Sequence, residues 1–567
     1  MPSKSRLWLL LVGMTAVLAA VFISGCGDNE KAQPPGDALA PVQELRLNIA
    51  TEPVTIDPNL AFDSDSIAVV HQLYSGLLAF DKDLNLAPAL ATEIPSQSNG
   101  GISADGLTYT FKLREDAKWS DGQPITAADI EYSVKRLLAP ETASAYASVY
   151  FDIEGAAEYA MALGDPENPA PVDEAALSQL RDSVGVEAVD EHTLRITLVE
   201  PRYTFAYLAA IWSISPLRQD IVEGMGDAWT EPGNQVSSGP FVLSEWAHND
   251  HMTLVPNPYW YGEQPKLQKL VLKMIGDPNA AYAAYLNGEL DVVAVPPSNI
   301  ESVVGDSNLS QQVVRSVDMG TNAYEFNVNV APFDDPKVRQ AFAMAIDREA
   351  FVNKVGFGVG EVAYSLIPPG TAGHDPNLGQ ELAYDPQKAK ELLAEAGYGD
   401  GNLPEVTIQF ADVGGNRLSA EFAQGQLEEN LGVNVKLDPL EPRAFAATIM
   451  QGEFMIVPIG WGADFPDPDS WLPQNFGTEG GSNLAGYSNA EFDALVQQAV
   501  AEPDPEKRLA LWSQAQQVLV KDAAAIFVSY RERVRLVKPY VKNLILTGMD
   551  AGLDGELFLT KTYIAEH

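Results

Sequence analysis

The sequence predicts a mixed α/β protein, and three observations carry that expectation. Short runs that alternate apolar and polar residues, such as Leu45 to Ile49, read as strands with one buried face. Asp-Pro pairs at Asp335, Asp385 and Asp504 each stand at the head of a helical pattern. Proline at the first helical position gives up an N–H that has no partner there anyway. Between residues 406 and 437 a strand, a helix and a strand follow at the spacing of a right-handed parallel crossover.

After Leu45–Ile49, the run Leu107 to Leu113 alternates again behind an Asp105-Gly106 turn. Thr126-Ala-Ala-Asp129 has the layout of a capping box, with Asp in place of the usual Glu or Gln. The helix it opens puts Ile130, Val134, Leu137 and Leu138 on one face before Pro140. Arg195 to Val199 reads as a strand closed by Pro201, and residues 164–171 (GDPENPAP) as a surface loop. The helix behind Asp385-Pro386 runs through Leu392 and Leu393 to a stop at Gly397. Val406 to Phe410 is a strand, Ser419 to Leu431 a helix ended by Gly432, and Val433 to Leu437 the next strand. Asp504-Pro505 opens a helix carrying Leu509, Trp512, Ala515, Val518 and Leu519, and Ile526 to Tyr530 is a strand after it. No internal repeat is visible, which argues against solenoids and propellers.

With 567 residues the chain is long enough for two to four domains. Hydrophobic residues make up 46% and charged residues 20%, a globular composition. Acidic residues outnumber basic ones by 78 to 36, a net charge of −42. That balance argues against nucleic acid as a partner, which needs a basic footprint, and against docking on anionic lipid through a basic patch. A solvated acidic surface is the simpler reading.

Lys4 and Arg6 precede an apolar run from Leu7 to Ile23, the layout of a secretory signal and slightly short for a membrane span of about 20 residues. The run ends at Ile23-Ser24-Gly25-Cys26, which resembles a bacterial lipobox, and Cys26 is the single cysteine of the chain. We therefore expect a lipoprotein signal peptide over 1–25, lipidation at Cys26 and a flexible Gly- and Pro-rich tether over 26–43. The protein would then work outside the cytoplasm, in the periplasm or on the outer face of the cytoplasmic membrane, held by its lipid alone.

No catalytic constellation is visible. The chain has no G-x-S-x-G elbow, no H-E-x-x-H and no G-x-x-x-x-G-K-[ST] loop, and its one cysteine leaves no thiol catalyst or zinc-cysteine site. Gly356-Phe-Gly358-Val-Gly360 follows a helix rather than a strand and reads as a turn. His248 and His251 are a lone histidine pair, and the prolines between Asp464, Asp467 and Asp469 fit no standard calcium loop. Neither an enzyme, a metal site nor a cofactor is expected.

A series of motifs, in order, resembles the extracytoplasmic solute-binding proteins of ABC importers, in the oligopeptide- and dipeptide-binding branch, solute-binding family 5. The most specific is Leu107 to Leu138 (LTYTFKLREDAKWSDGQPITAADIEYSVKRLL), around Trp119. Ser238-Gly-Pro-Phe241, Asn257-Pro-Tyr-Trp260, Gly288-Glu-Leu-Asp291, Phe333 to Arg339, Asp347-Arg348, Ala389 to Tyr398 and Gly460-Trp-Gly-Ala-Asp464 complete the set. The resemblance implies a two-lobed type II periplasmic-binding-protein fold with a hinge and an extra subdomain on lobe I. Lobe I is expected over 44–74, 201–319 and 532–567, the extra subdomain over 75–200 and lobe II over 320–531.

It also implies a function: a monomeric receptor, free of nucleic acid, that closes on a peptide between its lobes and delivers it to permease subunits with cytoplasmic ATPases. Asp464 matches the position that pairs with a peptide α-ammonium group, and Phe62 to Ser64 and Gly460 to Gly462, around Trp461, match segments that pair with the peptide backbone. Tyr146 matches a cleft-lining position. Two departures stand out: relatives that bind short peptides often carry Arg where this chain has Pro458, and Cys where it has Gly462. Arg417 is a further candidate for a carboxylate partner. A nickel chelate, haem or an oligosaccharide would be the alternative cargo, and a secreted hydrolase the distant alternative.

Overall fold

Strict alternation shapes the first sheet. In Glu44–Ile49 the side chains of Leu45, Leu47 and Ile49 are buried and those between them are partly exposed. The strand pairs in parallel with Lys269–Met274, which continues antiparallel to His251–Pro256 and then Phe241–Ala247. The computed structural model describes residues 38–164, 173–399, 402–413, 415–550 and 552–567. The signal segment, Cys26 and the 164–171 loop past its first residue lie outside them.

A three-stranded antiparallel sheet of Thr108–Lys112, Thr193–Thr197 and Val186–Asp190 stands beside this first sheet. Helix Ala127–Leu137 covers it, with Ile130, Val134 and Leu137 buried. The Asp129 carboxylate accepts from the Thr126 N–H at 2.8 Å, so Asp does the work of Glu in this box. Tyr109, Phe111, Trp119 and Phe205 join the two sheets in one core.

The second core surrounds a seven-stranded mixed sheet. Val406–Ala411 and Val435–Leu440 pair in parallel, joined by helix Asn416–Leu431, whose Gly432 cap adopts φ 71°. The helix starts three residues earlier than the sequence suggests, because Asn416 donates to the Ala411 carbonyl at 3.2 Å and ties the first turn to the strand end. The second strand starts later, at Val435. The three Asp-Pro pairs singled out in the sequence each open a helix: Pro336–Met344, Pro386–Glu395 and Pro505–Asp522 carry Asp335, Asp385 and Asp504 as N-caps. The glycine run at 356–360 is a turn following helix Arg348–Lys354.

Two long strands connect the cores. Val313–Phe326 and Ala525–Val537 pair antiparallel along most of their length. The second extends well past the Ile526 to Tyr530 run that its sequence signals. Arg531, Arg533 and Arg535 interrupt the apolar pattern, and two of them are matched by carboxylates, Asp318 and Asp554. The second core reaches to Met319 and Tyr530, while Val534 and Leu536 belong to a smaller core with Tyr285 and Ile300. Between these the strand register slips, from Val317 opposite Glu532 to Thr321 opposite Tyr530. Such bulges bend a strand pair. No helix among the described residues is long and apolar enough to cross a membrane.

Candidate ligand-binding site

A cavity of about 810 Å³ lies between the two cores. Phe62, Ser64, Tyr146 and Trp212 reach it from the first lobe, and Met319, Gly462 and Asp464 from the second. Arg531 and Arg533 on the crossing strand close one side. Its size is that of a small-molecule or short-peptide site, in the place between domains where such sites form.

Strand Ile456–Gly462 delivers Asp464. One edge pairs with the crossing strand from Phe326 opposite Ile456 to Gly320 opposite Gly462. The other edge meets its neighbour at a single register pair, Ile408 with Ile456. From Val457 onward no strand among the described residues is paired with that edge, which leaves backbone N–H and C=O groups for an added strand. The chain then turns, held by the Asp464 N–H donating to Ser470 Oγ at 3.0 Å.

Asp464 itself is half-buried, and no cationic side chain among the described residues pairs with it. Tyr146 Oη donates to its Oδ1 across the cavity, at a long 3.4 Å. Burial pushes the Asp464 carboxyl up to about 6, and the tyrosine bond offsets only part of that. Burial and the facing Asp464 push the Tyr146 phenol far up. Trp212 meets Tyr146 edge-on, ring centres 5.0 Å apart.

The structure therefore brings Phe62, Ser64, Tyr146, Gly462 and Asp464 to one cavity. Trp461 turns away from it: its indole is buried in the second core, 5.4 Å from the Phe476 ring. Gly460 faces a neighbouring cavity of about 360 Å³ that it shares with Pro458 and Arg531. Arg417 pairs with Asp412 at 2.8 Å on the exposed surface. Asp469 is committed to Arg202 and Asp467 caps the turn that follows it. His248 and His251 lie against Glu52 and Asp250.

Several lining residues carry no local sequence signal. His71 binds Glu556 at 3.0 Å, and Asp550 is pushed up to about 7 by burial and by Glu556. Asp318 pairs with Arg533 at 2.6 Å. Paired strands bring Asp318 and Arg533 together, while His71 comes from helix Ser64–Leu73 and Asp550 and Glu556 from the irregular C-terminal segment, so spacing along the chain does not reveal the group.

Residues 85–483 match the family model "Bacterial extracellular solute-binding proteins, family 5 Middle". The chain is 32% identical to the periplasmic oligopeptide-binding protein OppA of Escherichia coli, covering 99% of this chain and 98% of that one. It is 32% identical to the dipeptide-binding protein DppE of Bacillus subtilis, over 96% and 97% of the two chains. The heme-binding protein A of Haemophilus influenzae is 30% identical over 97% and 98%. Among solved structures, the Escherichia coli murein tripeptide binding protein MppA superposes with a TM-score of 0.75 at 29% identity, over 94% of this chain and all of that one (100%).

Proposed function

Because the chain belongs to the bacterial extracellular solute-binding proteins of family 5, we propose that it captures peptides between its lobes for delivery to an ABC importer. The observation that carries this reading is Asp464: a half-buried carboxylate without a cation, beside a strand edge without a partner. A buried charge is costly unless paired, and an α-ammonium group supplies the pair without consulting any side chain. The open edge supports main-chain pairing, which is equally blind to side chains. Together they favour peptides of varied sequence, held by what all peptides share.

Binding needs no chemistry on this reading, so the chain acts as a receptor, and the cavity lined by one copy of the chain supports a monomer. The change of core along the crossing strands supports boundaries near 320 and 531, with closure as a bend there. Lipidation at Cys26, in the lipobox-like Ile23-Ser-Gly-Cys26, would keep the receptor at the membrane beside its permease. Haem is less well served, since the cavity's His71 is held by Glu556 rather than free to face an iron.

Native mass spectrometry of the protein purified from its host tests the cargo. Bound masses that fragment as peptides support the reading; a haem or sugar mass replaces it. Calorimetry with a mixed tripeptide pool, followed by small-angle scattering, then tests closure. Saturating binding without compaction would contradict a closing receptor.

A further inference from the structure

Arg531, Arg533 and Arg535 alternate along the second crossing strand. Arg533 pairs with Asp318 at 2.6 Å and Arg535 pairs with Asp554. Arg531 has no carboxylate partner among the described residues; its one hydrogen bond is from Nε to Asn322 Oδ1, at 2.9 Å. A guanidinium carries five N–H donors, so most of its capacity is unspent.

The side chain is nonetheless held in place. It lies across two positions without a side chain, Gly320 and Gly460. A Cβ on Gly320 would come within 2.7 Å of Arg531 Cδ and 3.0 Å of Nη1, and a Cβ on Gly460 would run into the guanidinium itself. From this slot Arg531 borders the 810 Å³ cavity that holds Asp464 and the 360 Å³ cavity beside Pro458. Burial, with Arg533 nearby, pulls its basicity down, and the Asp318 charge offsets only part of that. A half-buried planar cation with free paired donors is suited to bidentate binding of a carboxylate.

We propose that Arg531 anchors a carboxylate of the ligand and sets a preference for peptides that present one toward the hinge strand. The proposal rests on the peptide reading above. It gives the site two opposite charges on different elements: Asp464 on the turn of the second lobe, and Arg531 on the strand that joins the lobes. The carboxylate could be the C-terminus or an acidic side chain, and the test separates them.

The probes are mixed tripeptide pools in four forms: with or without Asp and Glu, each with a free or an amidated C-terminus. Affinity for the lipid-free mature protein is measured by calorimetry. Wild type should bind pools with a carboxylate at least tenfold more tightly than the amidated pool without acidic residues. Loss on amidation in the non-acidic pool identifies the C-terminus; rescue by Asp and Glu identifies a side chain. Arg531→Met should erase the discrimination while still binding the fully neutral pool, and Arg531→Lys should keep part of it. Should the Met variant fail to fold, the Lys variant carries the test through its reduced discrimination. Equal binding of all pools by wild type, or discrimination unchanged in the variants, overturns the role of Arg531 and leaves the peptide reading standing. Binding of no pool at all overturns both.

Discussion

Arg202 Nη2 lies 2.8 Å from Asp469 Oδ2, and the two residues belong to different lobes. The same guanidinium reaches Asp152, and Thr204 Oγ1 also donates to Asp469. Nearby, the Tyr203 N–H donates to the Val500 carbonyl at 2.9 Å, and Tyr207 stacks on Phe465 with ring centres 5.6 Å apart. This patch fastens the lobes to one side of the cavity. Arg202→Met leaves the Asp469 carboxylate buried without its cation, at a cost of about 3–5 kcal/mol to the arrangement in which the two lobes meet here. Peptide affinity should fall by about two to three and a half orders of magnitude, and scattering should show a larger radius. Adding Asp469→Leu should restore most of the loss, because no orphaned charge remains. An unchanged affinity in the single variant would show that the pair does not hold the lobes together.

Asp464→Ala should cost about 3–5 kcal/mol of peptide binding if the carboxylate encloses an α-ammonium group. N-acetylating the peptide should cost the same, and the two changes together should cost no more than either. Calorimetry on one eluted peptide and its acetylated form checks this. Equal binding of the two forms by wild type removes Asp464 from the anchor role.

The raised carboxyl of Asp464 predicts a pH profile. Its charge is present above about pH 6 and lost below, so the form able to hold a cation is about one-tenth populated at pH 5. Affinity should weaken about tenfold from pH 7 to pH 5. His71 and Asp550 line the same cavity, so Asp464→Asn is the comparator: it should bind weakly at both pH values, with the acid-dependent loss much reduced.

Glu325 is fully buried with no salt-bridge partner among the described residues, and burial raises its carboxyl from 4.5 to about 8. The folded protein therefore holds a proton there that the unfolded chain releases above pH 4.5. Its contribution to stability is full below that value and declines as pH rises toward 8, by at most about 1.4 kcal/mol per unit. Glu325→Gln cannot titrate. Between pH 5.5 and 7.5 wild type should lose about 2–3 kcal/mol more than the variant in urea unfolding. Parallel curves for the two proteins would contradict the assignment.

Helix starts were the most legible part of the sequence, because an Asp-Pro pair acts through its own side chain and its own missing N–H. The same signal at Asp277-Pro278, which opens helix Pro278–Leu286, was there to be read and was not among the elements expected. The long crossing strands were harder. Val313–Phe326 mixes charged, polar and apolar residues because its faces meet different surroundings along its length, and Arg531 to Arg535 look solvent-facing until Asp318 and Asp554 are placed opposite. Asp464 and Tyr146 could be picked out because motifs surround them. Arg531 could not: its position depends on pairing with a strand some 200 residues earlier, and on glycines at 320 and 460 that make room for it.

The crossing strands are hydrogen-bonded to each other on both sides of the register slip between Val317 and Thr321. They can flex together, but sliding or swivelling past one another would break the ladder. The connection then behaves as a leaf spring rather than a pair of loose tethers, with one soft direction and several stiff ones. On the reading proposed above, a receptor hung on such a spring would be guided along one closing path. Its outer rim would then present the same face to the importer for every peptide, reporting that the cavity is full without reporting what fills it.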